Sequence, residues 1–175
     1  MKKILIAIDL QNDFVTGSLG SERAVSAADG VRAKIEALEL DSAVVFTRDT
    51  HYENYLDTLE GKNLPVPHCI AGTHGWEIYG GLDKLRPGSI YVDKNTFGWR
   101  GWEETLKGLL EEDTEIELAG LCTDICVVSN ALILKCLYPE TKISVDPSCC
   151  AGVTEKSHDA ALLTMKMCQI EIVSL

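Results

Sequence analysis

Short apolar runs rich in β-branched residues alternate with patterns of helical period along almost the whole chain. The strand-like runs are residues 4–8, 43–47, 90–92, 116–119, 143–145 and 170–173, and the helical patterns are residues 27–38, 102–110, 124–137 and 154–167. Most of the runs are apolar on both faces, which is typical of strands buried in a parallel sheet. The alternation therefore predicts an α/β fold with three α/β/α layers and a six-stranded, parallel, Rossmann-like sheet.

Length and charge limit what the chain can do. It has 175 residues, so we expect residues 1–175 to form a single domain. The net charge of −11 repels phosphate backbones and anionic headgroups, so nucleic acids and membranes are poor partners. The first apolar run, residues 4–8, is too short for a signal peptide. We therefore expect a cytoplasmic protein that acts on small molecules.

The chain has seven cysteines, which we expect to be free thiols in the cytoplasm, six of them packed as small apolar groups and one reactive. Cys126 lies just inside a predicted helix whose start is indicated by Thr123 and Asp124. The partial positive charge of a helix N-terminus favours the thiolate. From position alone, a reactive and a buried structural Cys126 are equally good interpretations. A redox pair with Cys122 is a further alternative, although redox dithiols usually have the shorter Cys-x-x-Cys spacing.

Chemically reactive residues follow several of the predicted strands. Open α/β sheets bind ligands at the carboxyl ends of their strands, so these residues are expected to share one edge. The residues are Asp9, Asp49, His51, Lys94, Cys122, Cys126 and Asp146.

In addition, residues 49–87 have little periodicity and carry three of the four histidines. A connection this long inside a compact domain is usually functional.

Three segments carry a family resemblance, namely residues 8–14 (IDLQNDF), 92–94 (VDK) and 120–127 (GLCTDICV). Together they resemble the signatures of the isochorismatase-like cysteine hydrolases, a superfamily that includes the nicotinamidases. The resemblance runs from about residue 4 to the C-terminus. It implies that Cys126 attacks a carbonyl carbon to form an acyl-enzyme, that Asp9 acts as general base and then acid, and that Lys94 lies between them. It also implies an oxyanion hole made by the N–H groups of Cys122 and Cys126, with a cis peptide bond between Leu121 and Cys122.

The resemblance extends to a metal site. Asp49, His51 and His68 resemble the ligands of the divalent metal in nicotinamidases, and a carboxylate with two imidazoles suits Zn, Mn or Fe. In the family, a further ligand lies along the sequence between the residues that match His51 and His68. Glu60 is our candidate for this ligand, and Asp57 is a weaker one. The alternative is that Asp49 caps a turn and both histidines make ordinary hydrogen bonds. We expect a divalent metal and no organic cofactor.

Substrate contacts follow from the same resemblance. Phe14 and Phe97 match aromatic residues that enclose the substrate ring in nicotinamidases. The tryptophan that usually precedes the proline-histidine segment is absent, and residues 64–67 (LPVP) stand in its place. The sequence does not decide whether the three tryptophans, Trp76, Trp99 and Trp102, belong to the pocket, the core or a dimer contact.

The leading function is hydrolysis of a small carboxamide, with nicotinamide, which would give nicotinate and ammonia, as the first candidate. Other carboxamides and ureido or carbamoyl compounds follow it. An isochorismatase-type cleavage is an alternative, but relatives with that chemistry generally do not rely on the cysteine, so Cys126 argues against it. A non-catalytic, ligand-binding relative is the third interpretation, and its mark would be a lost triad residue. Because relatives commonly form dimers or tetramers, we expect a homo-oligomer.

Overall fold

The computed structural model describes residues 2–173, and at its centre is a six-stranded sheet in which all paired strands are parallel. The strands are β1 (Lys3–Ile8), β2 (Ala43–Asp49), β3 (Ile90–Lys94), β4 (Glu115–Leu121), β5 (Ile143–Ala151) and β6 (Glu171–Ile172). Their order is β3-β2-β1-β4-β5-β6. The order reverses between β1 and β4, which is where open α/β sheets form a ligand-binding crevice. The predicted fold class is confirmed.

In residues 2–173, six α-helices connect the strands: α1 (Asn12–Val15), α2 (Glu22–Ala37), α3 (Leu59–Asn63), α4 (Trp102–Thr105), α5 (Val128–Leu137) and α6 (Glu155–Met167). Helix α2 begins before the predicted pattern because the Ser21 side chain caps it by accepting a hydrogen bond from the N–H of Ala24. Helix α4 is shorter than predicted, and Gly108 in the turns that follow it has a φ of +75°. Within residues 2–173, no helix combines the length and apolar character needed to cross a membrane.

Strand β1 shows why the interior strands are apolar on both faces. It pairs with β2 on one side and β4 on the other, and residues 4–8 are at most 1% exposed. Because the strand itself is buried, polar groups can contact a ligand only at its end. The predicted catalytic residues Asp9 and Lys94 lie at the ends of β1 and β3.

Strand β5 is longer than predicted, and this changes the position of Asp146. Between residues 118 and 120 of β4, the partner strand advances from residue 145 to residue 150, so β5 contains a bulge. Pro147 lies in this interval, and proline has no N–H to donate to a strand ladder. Asp146 therefore lies inside the strand, where its carboxylate is 2.7 Å from Nζ of Lys34 on α2. The prediction that Asp146 belongs to the carboxyl edge is wrong.

Candidate active site

Cys126 lies on a single π-helical turn, Thr123–Val127, that connects β4 to α5. The residue is 5% exposed. The turn begins where the sequence predicted, but its two predicted caps have other roles. The hydroxyl of Thr123 is 2.8 Å from Nδ1 of His158, and the carboxylate of Asp124 accepts a hydrogen bond from the N–H of Val153 at 3.0 Å. These contacts attach the turn to the start of α6.

Lys94 brings the other two predicted catalytic residues together. It is the last residue of β3, Asp9 follows β1, and both are completely buried. The Lys94 ammonium lies 2.6 Å from Oδ2 of Asp9 and 3.5 Å from Sγ of Cys126. The other oxygen of Asp9 accepts a hydrogen bond from the hydroxyl of Thr47 at 2.5 Å. Asp9, Lys94 and Cys126 therefore form one contact network.

Burial controls the protonation of this network. Burial raises the pKa of the Cys126 thiol well above its usual range, and the Asp9 carboxylate adds to the effect. Burial also raises the pKa of Asp9, although the charge of Lys94 opposes this. For Lys94, burial alone would lower the pKa, but Asp9 and its other anionic neighbours raise it. These directions favour a proton on the sulfur, because burial of Cys126 opposes the preference for a thiolate that its position at a helix N-terminus creates.

The loop before the nucleophile has the expected backbone geometry. The peptide bond between Leu121 and Cys122 is cis, as the resemblance implied. The carbonyl oxygen of Cys122 accepts hydrogen bonds from the N–H groups of Ile125 and Val127, both at 3.1 Å. Cys122 and Cys126 both line one cavity. That their N–H groups form an oxyanion hole stays a prediction.

The four predicted metal ligands form a second cluster. Asp49, His51, Glu60 and His68 each contribute one ligand atom, and these atoms all lie within 4.8 Å of one another. Nε2 of His51 is 2.9 Å from Oδ2 of Asp49 and 3.6 Å from Oε1 of Glu60. Nε2 of His68 is 3.5 Å from the same Asp49 oxygen. The weaker candidate, Asp57, is not in the cluster.

The chemistry of this cluster fits a divalent cation. Nδ1 of His68 donates a hydrogen bond to the carbonyl oxygen of Val66 at 2.8 Å, so Nε2 is the nitrogen that faces the other ligands and would bind a metal in place of its proton. Burial alone would raise the pKa of Asp49, but hydrogen bonds from the two histidines and the charge of Lys94 hold it below its usual range. Two carboxylates and two imidazoles at one point are ligands that Zn, Mn and Fe accept.

A cavity of about 740 Å³ opens over Cys126 and three of these ligands. Phe14 and Phe97 both line it. The ring centroid of Phe14 is 5.4 Å from that of His68, while Phe97 is 47% exposed. Leu64, from the segment that replaces the family's tryptophan, also lines the cavity. The two predicted substrate contacts therefore line the same cavity as Cys126, and their role stays a prediction.

Sequence reasoning missed Asn130, a completely buried residue of α5. Its Oδ1 accepts hydrogen bonds from the N–H of Trp99 at 2.8 Å and from the indole of Trp102 at 3.0 Å. Its Nδ2 donates to the carbonyl oxygens of Phe97 at 3.1 Å and Cys126 at 2.8 Å. It therefore links the turn that carries Cys126 to the segment that carries Phe97. Its position four residues after Cys126, on the same side of the helix, is the signal that could have found it.

Gln11 was also missed, although its side chain holds the backbone of Asp49 in place. Its Oε1 accepts from the N–H of Asp49 at 2.7 Å, and its Nε2 donates to the carbonyl oxygens of Asp49 and Trp76, both at 2.9 Å. The indole of Trp76 in turn donates to the hydroxyl of Thr50 at 2.9 Å. In the described part of the chain, none of the three tryptophans lines the cavity. They support the site from outside it.

All seven cysteines are free thiols, and Cys136 and Cys168 are exposed. The expectation that six cysteines pack as apolar groups is therefore wrong for these two. Burial, together with the charge of Asp124, raises the pKa of Cys122 to about 12. Since thiol exchange requires a thiolate, this disfavours the alternative of a redox pair with Cys126.

Known proteins share this architecture. The isochorismatase domain family model matches residues 3–175. The nicotinamidase of Schizosaccharomyces pombe is 28% identical over 206 residues, covering 97% of this chain and 92% of that protein. The crystal structure of the nicotinamidase/pyrazinamidase PncA from Bacillus subtilis has a TM-score of 0.85 and 30% identity, covering 99% of this chain and 100% of that one. The pyrazinamidase of Pyrococcus horikoshii in complex with zinc shares the fold, with a TM-score of 0.83, 24% identity and 100% of both chains covered. The chain therefore belongs to the isochorismatase family and is a nicotinamidase-like hydrolase.

Proposed function

We propose that the protein hydrolyses nicotinamide to nicotinate and ammonia through an acyl-enzyme on Cys126. The observation that carries this proposal is the contact of Lys94 with both Asp9 and Cys126, directly beside a cavity that also holds the metal-ligand cluster. The relatives named nicotinamidase in Schizosaccharomyces pombe and nicotinamidase/pyrazinamidase in Bacillus subtilis support this choice of substrate.

The first step begins from a thiol and a carboxylate. As Sγ of Cys126 attacks the carbonyl carbon, the thiol proton passes to Asp9. The Lys94 ammonium, 3.5 Å from the sulfur, stabilises the negative charge that develops there. The oxygen of the tetrahedral intermediate would accept hydrogen bonds from the N–H groups of Cys122 and Cys126. A buried, uncharged thiol can therefore react without first existing as a free thiolate.

In the remaining steps the thiol proton leaves with ammonia, and water supplies the proton that restores the thiol. Asp9 protonates the leaving nitrogen, the C–N bond breaks and ammonia departs, leaving a thioester on Cys126. Water then attacks the thioester and gives a proton to Asp9. The C–S bond breaks, the sulfur recovers its proton, and nicotinate is released. Asp9 thus acts first as a base and then as an acid in each half of the reaction.

Asp49, His51, Glu60 and His68 are the residues that would hold a divalent metal. When bound, such an ion supplies a Lewis acid that can hold the pyridine nitrogen of the substrate. Phe14 and Phe97 would then enclose the ring, because both line the cavity beside this cluster. The zinc of the Pyrococcus horikoshii pyrazinamidase supports a metal of this class.

The charge of the cavity does not favour isochorismate. That substrate carries two carboxylates, which require cationic partners. Among the residues that line the cavity in the described part of the chain there is no lysine or arginine, and the two charged residues, Asp49 and Glu60, are acidic. A substrate with two carboxylates would therefore find no lysine or arginine in the cavity to pair with. The same reasoning disfavours carbamoyl and ureido acids relative to neutral carboxamides.

Ammonia release from nicotinamide tests the proposal, with Cys126→Ala and Cys136→Ala measured beside the parent. Cys136 is exposed on α5, so its variant controls for the loss of a thiol. We expect the parent and Cys136→Ala to be equally active and Cys126→Ala to lose at least about 10³-fold in rate. An active Cys126→Ala variant would contradict the mechanism. A silent parent whose Cys126 still reacts with a thiol reagent would contradict the substrate.

A further inference from the structure

The cavity extends well beyond the space that nicotinamide needs. Strand order places the metal ligand Asp49 at the end of β2, Cys126 after β4, and residues 151–153 at the end of β5. Neighbouring strands are about 4.8 Å apart, so this edge spans roughly 14 Å from β2 to β5. A volume of about 740 Å³ is in the range of drug-sized ligands, whereas nicotinamide has only about nine non-hydrogen atoms. A molecule held between the metal ligands and Cys126 leaves the β5 end free.

We call this free end the β5-side chamber. Its lining residues are small or apolar and carry no charge: Leu19, Ser21, Ala24, Cys122, Ala151 and Val153. Its walls are held in place, because Arg23 donates hydrogen bonds to the carbonyl oxygens of Gly152 and Val153, each at 3.3 Å, and Asp124 accepts one from the N–H of Val153. The chamber is therefore a formed space suited to a neutral, apolar group.

Amide geometry indicates which part of a substrate would enter the chamber, and this step rests on the proposed function. The acyl group lies on the metal side, and the carbonyl oxygen points to the N–H groups of Cys122 and Cys126. In a trans amide, the carbon substituent on nitrogen lies on the same side as the carbonyl oxygen, away from the acyl group. A substituent on the nitrogen would therefore extend past Cys122 toward β5.

We propose that the enzyme also hydrolyses secondary carboxamides whose nitrogen carries a small, neutral, apolar group, and that it releases a primary amine instead of ammonia. The bonds change as for nicotinamide. The bond from Sγ of Cys126 to carbon forms, the C–N bond breaks, and the amine takes the proton that Asp9 received from the thiol. One water then hydrolyses the thioester, and the products are a carboxylate and an alkylammonium ion.

Nicotinate release measures this activity with three substrates that share one acyl group: nicotinamide, N-propylnicotinamide and N-carboxymethylnicotinamide. We expect turnover of the propyl amide. Because the chamber has no cation, the carboxymethyl amide should react at least about tenfold more slowly than the propyl amide. Amine release, detected by derivatisation, confirms which bond is cut.

Two variants of Val153 test where the substituent lies. This residue is 63% exposed, so a larger side chain is compatible with folding. Val153→Trp should lower the rate on the propyl amide by at least about tenfold relative to nicotinamide. Val153→Ala should raise the relative rate on an N-benzyl amide. Leu163→Trp, 61% exposed on α6 and outside the cavity, should leave both rates unchanged.

The outcomes separate the two proposals. Activity on nicotinamide without activity on the propyl amide overturns this inference and leaves the proposed function intact. A parent inactive on both amides overturns the proposed function. Turnover of the propyl amide that both Val153 variants leave unchanged relative to nicotinamide overturns the assignment of the chamber.

Discussion

Two clusters of buried ionisable groups lie on the same sheet, and they differ in how their charges are balanced. The catalytic cluster, at the carboxyl edge, consists of Asp9, Lys94 and Cys126. The α2 cluster lies between helix α2 and the strands that it covers, and it consists of Lys3, Lys34, Glu117 and Asp146. In the α2 cluster, Nζ of Lys34 is 2.6 Å from Glu117 and 2.7 Å from Asp146, and Nζ of Lys3 is 2.5 Å from Glu117. Two cations there neutralise two anions.

The pKa values move in opposite directions in the two clusters. Burial alone would raise the pKa of Glu117 and Asp146, but hydrogen bonds from the lysines lower both below their usual range. In the catalytic cluster, burial raises the pKa of Asp9 and Cys126, because a single ammonium serves both. The catalytic cluster is also the more deeply buried, since the side chains of Asp9 and Lys94 are 0% exposed and those of Lys3 and Lys34 are 34% and 25% exposed. Burial and the number of cations therefore both contribute to the difference. The α2 cluster, with one cation for each anion, keeps its groups charged. The catalytic cluster, with one cation for two acidic groups, can transfer a proton between Cys126 and Asp9.

The same amide substitution in each cluster should give the largest contrast. Asp9→Asn removes the proton acceptor and should reduce kcat/KM for nicotinamide by at least about 10³-fold. Glu117→Gln should keep the parent's activity and instead lower the free energy of unfolding by about 1–3 kcal/mol, since the two lysines lose their shared anion. Steady-state kinetics and urea unfolding measure the two effects. An Asp9→Asn variant with more than a tenth of the activity would remove Asp9 from the mechanism.

Metal removal should give the next largest effect, and only at the carboxyl edge. A divalent ion at about a hundred times its Kd stabilises the folded state by about 2.7 kcal/mol, so chelation should lower the unfolding midpoint. Glu60→Gln should reduce the metal content of the purified protein and abolish most of this shift. Asp57→Asn is the matched control, because Asp57 lies three residues away and outside the cluster. If both variants bind metal equally well, Glu60 is not a ligand.

The sequence predicts the catalytic cluster better than it predicts the α2 cluster, for a physical reason. Asp9, Lys94 and the loop before Cys126 follow the apolar runs of β1, β3 and β4, so strand ends alone place them at one edge. Asp146 also follows an apolar run, yet its strand continues through a bulge that depends on pairing with β4. A run of apolar residues marks where burial begins but not where strand pairing stops.

The sequence could not predict the protonation of Cys126 or the supporting role of Asn130, because both depend on contacts between elements that are distant along the chain. A helix N-terminus favours a thiolate at Cys126, but burial of the thiol itself and the charge of Asp9 raise its pKa and outweigh the opposing charge of Lys94. Asn130 satisfies four backbone and side-chain groups that come from two separate segments. No local sequence pattern predicts such a set of hydrogen-bond partners.

Lys34→Met should break the charge balance of the α2 cluster and reduce the free energy of unfolding by about 1–2 kcal/mol at neutral pH. This loss is smaller than that expected on breaking a fully buried ion pair, because Lys3 still contacts Glu117. Glu117 and Asp146 have lowered pKa values in the folded state, so their contribution is present above their usual pKa values and is lost as the pH falls through the folded ones. The deficit of the variant should therefore be constant near neutral pH and shrink below about pH 4. Urea unfolding from pH 3 to 8 measures it, and a deficit that grows in acid would reverse the assignment.

Lys3→Met should have the smallest effect, because Lys3 contacts Glu117 alone, and its side chain is 34% exposed. A partly exposed ion pair contributes about 0.2–1 kcal/mol, so we expect a loss of about 0.5 kcal/mol and unchanged hydrolysis. The double variant Lys3→Met/Lys34→Met leaves Glu117 with neither lysine. Its loss should exceed the sum of the two single losses by about 1 kcal/mol, since an anion that is 4% exposed would then be buried without a cation. Losses that add within about 0.3 kcal/mol would mean that the two lysines act independently and that charge balance does not stabilise the cluster.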